Sequence, residues 1–311
     1  IGDFIIARAD GSPVYLLGVA VDDADMGITL VMRGDDHISN TPKQIMLMKA
    51  LRAAIPRFAH LPQVLGQDKK KLSKRHGAAS VLEYRNMGVL APALVNFLAL
   101  LGWNPGDDRE KMPVNELIHA FSIENISKKS GVFDIQKLEW LNGQYISETP
   151  DDRILDLVGP LFVERGYLSE EDVAKRRDYL LLVIRLLKDR CRLIPEIAEM
   201  GGYFFRDPEL YEAKGAAKHF TVMGAADRIE AIARSFVRLD VFDEQSAENA
   251  VRVLAGELGI SAAMLIHPIR LAVTGTTSGP GLFEILVAVG RERVIARLQA
   301  AVLYIRENMS A

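Results

Sequence analysis

Apolar positions fall into two regimes along the chain. Phe4 to Ala7, Val14 to Val21 and Ile28 to Met32 are short apolar runs without strict alternation, parted by Asp10-Gly11-Ser12-Pro13 and by Asp22-Asp23-Ala24-Asp25. Such runs predict strands covered on both faces, as in a parallel sheet flanked by helices. Asn40-Thr41-Pro42 then sets up a helix start with Pro42 near the first helical position, and Gln44 to Arg52 carries helical spacing. Helical patterns dominate from there. Val89 to Leu101 is apolar nearly all round and stops at Gly102, and Tyr179 to Met200 is amphipathic, interrupted at Pro195 and ended by Gly201-Gly202. Ser246 to Asn249 begins another helix that runs to Gly259, and the tail breaks at Gly275, Gly279, Gly281 and Gly290. The pattern predicts a mixed α/β piece followed by an all-α half, with the boundary near Glu148-Thr149-Pro150. Before about residue 75 there are too few strands to close a doubly wound domain, so a partner segment is expected outside this chain.

Composition adds exclusions. The 311 residues are 49% hydrophobic and 25% charged with a net charge of -3, which rules out a disordered chain and a polycation that holds nucleic acid by bulk charge. A locally basic groove is still allowed. The single cysteine, Cys191, makes no intramolecular disulfide and no cysteine-rich zinc site, so a reducing cytoplasm is expected. Apolar runs fall far short of the roughly 20 residues of a spanning helix, and no membrane segment or export signal is expected.

The segment Gly66-Gln67-Asp68-Lys69-Lys70-Lys71-Leu72-Ser73-Lys74-Arg75-His76-Gly77 reads as a basic loop, with five cations in seven positions. Crowding like charges is unfavourable unless a polyanion such as a triphosphate offsets it. By charge alone, a solvated surface loop, a localisation signal and a nonspecific nucleic-acid patch compete with phosphate binding.

The order of residues is more informative. Lys71-Leu72-Ser73-Lys74-Arg75 resembles the second signature loop of class I aminoacyl-tRNA synthetases. His60-Leu61-Pro62 upstream and His76-Gly77-Ala78 downstream resemble the glutamyl-tRNA synthetase form. Asp10-Gly11-Ser12-Pro13-Val14-Tyr15, Val21-Asp22-Asp23, Met26-Gly27-Ile28-Thr29 and the run from Arg33-Gly34-Asp35-Asp36-His37 to Thr41-Pro42 follow the same family's pattern. Lys129 to Asp134 and Lys137 to Ile146 are similar to its segment near the acceptor stem. Val273-Thr274-Gly275 and Gly279 to Leu286 resemble the helical domain of the bacterial type.

The resemblance implies the second part of a class I nucleotide-binding, Rossmann-like fold over 1–75, a mostly helical stem-contact region over 76–148 and an α-helical anticodon-binding domain over 149–311. It implies a glutamate-tRNA ligase that uses ATP, accompanied by Mg2+, to form glutamyl-adenylate and transfer the glutamyl group to tRNA(Glu). Lys71 and Lys74 are the implied catalytic residues at the phosphates. Ser73 is implied to bind a phosphate or hold the loop, while the main chain of Val64 and Leu65 is implied to meet adenine. Tyr15, Arg33 and His37 are the implied lining for L-glutamate, Arg33 as a two-pronged clamp on a carboxylate. Competing readings are a salt bridge from Arg33 to Asp22, Asp23 or Asp35, a core role for Tyr15 and a local backbone role for His37.

The family's His-Ile-Gly-His signature has no counterpart here. The chain is therefore expected to be a C-terminal portion, inactive alone, and a non-catalytic tRNA-binding module is the alternative. A monomer is expected. In the helical half, Arg185, Lys188, Arg190 and Arg192, the run Tyr203-Phe204-Phe205-Arg206 and the loop Thr274 to Gly281 are candidates for RNA contact, against a solvated helix face and a packed core. Helical content argues against the glutamine-charging relative, whose anticodon-binding part is built from β-barrels.

Overall fold

The computed structural model describes residues 1–72 and 80–308. They form two compact units, one of residues 1–86 and 90–141 and the other of 87–89 and 142 onward.

The first unit begins with a turn rather than a strand. Arg8 N–H donates to Ser12 O (2.8 Å) and Val14 N–H to Ile6 O (2.9 Å) around Gly11, whose φ of +84° suits a residue without Cβ. Phe4 to Ala7 accordingly makes one bridge, Ala7 to Pro13, instead of the expected strand. The expected strand from Val14 to Val21 is a helix, α1 (Tyr15–Asp25). Its residues are apolar at nearly every position, so periods of 2 and 3.6 both fit them. What selects the helix is packing: Leu16, Leu17 and Ala20 form one face against Leu47 and Met48.

Strand β1 (Leu30–Gly34) falls where the third apolar run predicts it. Helix α2 (Thr41–Ala50), with Pro42 in its first turn, returns the chain to β2 (Arg57–Leu61), which pairs parallel to β1 in the register Leu30 with Arg57 to Gly34 with Leu61. This is a βαβ crossover, the connection parallel neighbours need. These two strands are the only sheet among the described residues.

Helices α3 (Val81–Asn86), α4 (Ala91–Leu100) and α5 (Val114–Ala120) follow. Trp103, Met112 and Leu117 form a small core there, and Phe133 packs edge-on against Phe97 at 5.0 Å. Helix α6 (Ile135–Glu148) contains the division between the units, at Leu141 and Asn142.

The second unit is all helical: α7 (Asp151–Glu164), α8 (Glu170–Lys175), α9 (Arg177–Leu187), α10 (Ile194–Met200), α11 (Gly202–Phe205), α12 (Ala213–His219), α13 (Ala225–Val237), α14 (Glu244–Glu257), α15 (Ala263–Thr274), α16 (Leu282–Val289) and α17 (Arg291–Asn308). Pro195 does not break the pattern read from Tyr179 to Met200. The break is the 3-10 turn Lys188–Arg190 and the extended residues after it, and Pro195 sits in the first turn of α10, where its missing N–H costs nothing. Gly275 ends α15 in the left-handed region and Gly290 ends α16, as the glycine spacing predicts.

Candidate functional site

In open α/β sheets, ligands sit beyond the carboxyl ends of the parallel strands. Here β1 ends in Arg33-Gly34 and turns through Asp35–His37, while β2 ends in His60-Leu61. Arg33 and His60 are register partners. Arg33 Nη2 donates to Thr41 Oγ1 (2.8 Å) and to Gln44 Oε1 (2.6 Å). The Thr41 hydroxyl also lies 2.9 Å from His60 Nε2 and 3.3 Å from the His37 carbonyl. His37 Nδ1 faces Asn40 Nδ2 at 3.1 Å, and its ring is 5.8 Å from that of Tyr15. The structure thus brings Tyr15, Arg33 and His37 together, with the Thr41 hydroxyl joining Arg33 to His37.

The partners of Arg33 are neutral. Among the described residues no ion pair joins it to Asp22, Asp23 or Asp35, so the competing salt bridge does not form. Its face covers the Phe58 ring at 5.6 Å. Because a guanidinium only donates, Gln44 has to present its oxygen. Arg33 Nε and Gln44 Nε2 are consequently buried donors with no hydrogen-bond partner among the described residues. Unpaired buried donors are costly unless an acceptor arrives. Tyr15 is 55% exposed at the start of α1, which does not fit a core aromatic.

Sequence reasoning left Thr41, Gln44 and His60 without a role in this network. Thr41 and Gln44 are three apart on α2, a spacing that puts them on one face, and only the β1–β2 register adds His60.

The basic loop starts as a tight hairpin. Leu65 bridges Lys71, Leu72 N–H donates to Val64 O (2.9 Å), and Gly66 N–H donates to Lys70 O (2.8 Å). Leu65 is also fixed from the other side: its N–H donates to Gly131 O (2.9 Å) and its carbonyl accepts from Phe133 N–H (2.8 Å). Gly131 is needed at this contact, because a Cβ there would lie 1.9 Å from Leu101 O. The main chain expected to meet adenine is therefore rigidly held, and the carbonyls of Val64 and Leu65 keep a second lone pair. Lys71 pairs with Asp36 at 3.0 Å, tying the loop to the turn that follows Arg33. That hydrogen bond from Lys71 holds the Asp36 carboxyl below its usual range. Ser73, Lys74 and His76 lie outside the described residues.

In the helical unit, two of the RNA candidates have structural partners. Arg185 and Lys188 both pair with Asp151, at 3.2 and 2.8 Å, and Lys188 is mostly buried. Phe204 and Phe205 are packed among Phe162, Tyr167, Tyr179 and Tyr203, as the core reading has it. Arg190 is different. It is exposed, makes no ion pair or side-chain hydrogen bond among the described residues, and lines a cavity of about 560 Å3 with Leu182, Arg185, Glu244, Pro280 and Glu284. Of the loop Thr274 to Gly281 only Pro280 lines it, and the loop is braced by Arg270 Nη1 on Pro280 O (2.7 Å) and by Glu212 on the Thr277 N–H and hydroxyl (2.9 and 2.6 Å).

Comparison with known proteins agrees with this division. Residues 1–140 match the family described as tRNA synthetases class I (E and Q), catalytic domain, and residues 153–302 match the family described as anticodon binding domain. The glutamate–tRNA ligase of Moorella thermoacetica is 45% identical over 310 residues, all of this chain and 63% of that protein. Glutamate–tRNA ligase 1 of Caldanaerobacter subterraneus subsp. tengcongensis is 42% identical over 99% of this chain and 64% of its own length. A crystal structure of a glutamate tRNA ligase from Elizabethkingia meningosepticum, in complex with its amino acid, superimposes with a TM-score of 0.87 at 27% identity, covering 98% of this chain and 63% of that one. Along nearly its whole length the chain is similar to glutamate–tRNA ligases, and it spans about 63% of the length of the relatives it matches.

Proposed function

We propose that this chain supplies the amino-acid clamp, the phosphate-binding loop and the anticodon-reading part of a glutamate–tRNA ligase. The observation that carries the reading is Arg33, a guanidinium held by an amide and a hydroxyl, with Nε unpaired and no ion pair among the described residues. An arginine so placed keeps its full charge and an open donor for a carboxylate ligand. Tyr15 and His37 border the same spot and are proposed to line the L-glutamate pocket.

The α-carboxylate of L-glutamate, distinct from the side-chain carboxylate proposed for Arg33, is already a nucleophile at neutral pH, so activation needs alignment and charge stabilisation rather than a general base. Its oxygen attacks the α-phosphorus of ATP, the bond to the β-phosphate oxygen breaks, and pyrophosphate leaves. Lys71 and Lys74 are proposed to stabilise the charge that develops on the leaving phosphates, with Ser73 as a hydrogen-bond donor, and Mg2+ is proposed to accompany ATP on its phosphate oxygens. Lys71 can be recruited because its pairing with Asp36 is solvent-exposed and weak enough to exchange for a triphosphate. The main chain of Val64 and Leu65 is proposed to receive adenine. In the second step a terminal ribose hydroxyl of tRNA(Glu) displaces AMP.

Residues 1–75 are proposed to hold the reaction site, 76–148 to meet the stem, and 149–311 to read the anticodon in the cavity beside Arg190. A monomer in the cytoplasm is proposed, and no described helix is long and apolar enough to cross a membrane. Glutamylation by the chain alone is not expected.

Two binding measurements test the reading. L-glutamate is expected to shift the Arg33 Nε–H resonance saturably while L-glutamine does not; no shift with either removes the clamp. At one stated salt concentration, the chain is expected to prefer tRNA(Glu) over the same tRNA with altered anticodon bases. Equal affinity removes the anticodon assignment.

A further inference from the structure

The helical unit holds a second cavity, of about 170 Å3, whose polar lining contains no carboxylate. His219, Arg228 and His267 supply the polar groups, and Val222, Met264 and Pro268 are among its apolar walls. The three come from three helices: His219 ends α12, Arg228 is in the first turns of α13, and His267 lies within α15. The imidazoles stack, with centroids 5.1 Å apart and planes 16° from parallel.

Arg228 is half-buried and makes no ion pair or side-chain hydrogen bond among the described residues. Other arginines of this unit are paired: Arg234 with Glu230, Arg252 with Glu248, Arg293 with Asp207 and Arg306 with Asp227. Asp227, the acid next to Arg228 in sequence, is thus engaged elsewhere. Lys218 adds a further positive charge beside His219, and burial, then His267, then Lys218 hold the His219 imidazole below its ordinary pKa.

Gathering an arginine and two histidines around one hollow without an acid is unfavourable in the empty protein and favourable around an anion. A carboxylate is satisfied by one arginine fork. Three donor side chains from three helices suit an oxyanion with more acceptor oxygens, and the volume admits a phosphate with a small organic body. We propose that this cavity is a binding site for a phosphate group, held by Arg228, His219 and His267. The group is supplied by a free phosphate compound or by a nucleic-acid backbone. The site shares no lining residue with the cavity beside Arg190.

The probe is inorganic phosphate, titrated into the full chain at constant ionic strength and slightly acidic pH while the ring Hε1 resonances of His219 and His267 are followed. Both are expected to shift saturably. Arg228→Gln is expected to weaken the affinity about tenfold or more, Arg228→Lys less, and Arg252→Gln, at an exposed paired arginine, not at all. Unsaturable shifts, or a folded R228Q chain with unchanged affinity, overturn the proposal. With the site established, loss of the phosphate shifts on adding tRNA assigns the natural source to the RNA backbone, and their persistence supports a free phosphate compound.

Discussion

Arg297 is the most deeply buried charge in the helical unit, and its replacement by methionine tests how that unit is held together. The residue is 3% exposed. Its Nη1 donates to Val273 O (2.6 Å), its Nη2 to Tyr203 O (2.7 Å) and Arg206 O (3.1 Å), and its Nε to Asp207 Oδ1 (2.8 Å). One side chain on α17 therefore closes the carboxyl end of α15 and the segment that follows α10. Methionine keeps most of the stem and the helix propensity, so the loss is that of the guanidinium. Asp207 retains Arg293 at 2.8 Å and is largely exposed, which leaves the three carbonyls as the groups without a partner. At about 1–3 kcal/mol for each buried unsatisfied group, and with relaxation and water entry reducing the sum, the expected loss is about 3–5 kcal/mol, the range for removing one partner of a buried charged cluster. With a urea slope of about 1–3 kcal/mol per molar, the unfolding midpoint of the helical unit is expected to fall by about 1 M or more. Asp207→Asn leaves all three carbonyl bonds and is expected to change the midpoint far less. A midpoint for Arg297→Met within about 0.3 M of the parent would refute the reasoning, because the carbonyls would then be satisfied without the guanidinium.

Three further outcomes are expected. Gln44→Glu places an acid where Arg33 has an amide, so it is expected to abolish the L-glutamate-induced shift at Arg33, whereas Gln44→Met is expected only to weaken it; an unchanged response in Q44E would detach Gln44 from the clamp. Burial pushes the Cys191 thiol up to about 12, so at mildly alkaline pH a thiol reagent is expected to label the folded chain about three orders of magnitude more slowly than the unfolded chain, read by absorbance with and without urea. Asp151 is held below its usual range, first by the hydrogen bond from Lys188 and then by Arg185. A depressed carboxyl adds stability that is present above its unfolded value near about 3.9 and is lost as pH falls through the folded value. The difference in urea midpoint between parent and Asp151→Asn should therefore be largest near neutrality and shrink below about pH 4; a constant difference would show that the ion pairs are not its source.

The helical half was legible because its apolar residues recur at helical spacing with glycines at the ends, so Ser246 to Gly259 and the breaks at Gly275 and Gly290 fall where the pattern puts them. The first unit was harder. Val14 to Val21 is apolar at nearly every position, and only the partners Leu47 and Met48 make it helical. Strand β2, Arg57-Phe58-Ala59-His60-Leu61, is only five residues long, opens on Arg57 with its apolar residues interrupted by His60, and is defined by its pairing with β1 rather than by any run of its own. The same distinction separates the parts of the site. Tyr15, and separately Arg33 and His37, stand out as candidates because each lies in a short contiguous stretch with a recognisable order of residues. Thr41, Gln44 and His60 join them only through the crossover helix and the strand register, and the cavity at His219, Arg228 and His267 needs three helices to exist.

The surroundings of the arginines give a physical rule for telling structure from recognition in this chain. Arg297 has carbonyls and an acid on every donor group, so it holds helices together and has nothing to offer a ligand. Arg185 has exchanged its charge for Asp151. Arg33 is anchored by neutral groups on one edge and unpaired at Nε, a state that fixes its direction without quenching its charge. Leaving the buried Nε donor without an acceptor is unfavourable for stability, because the hydration it loses is not replaced. A structural arginine gains nothing from an open donor, whereas the carboxylate clamp proposed for Arg33 requires one, and an acid at Gln44 would pair the charge while removing the proposed site.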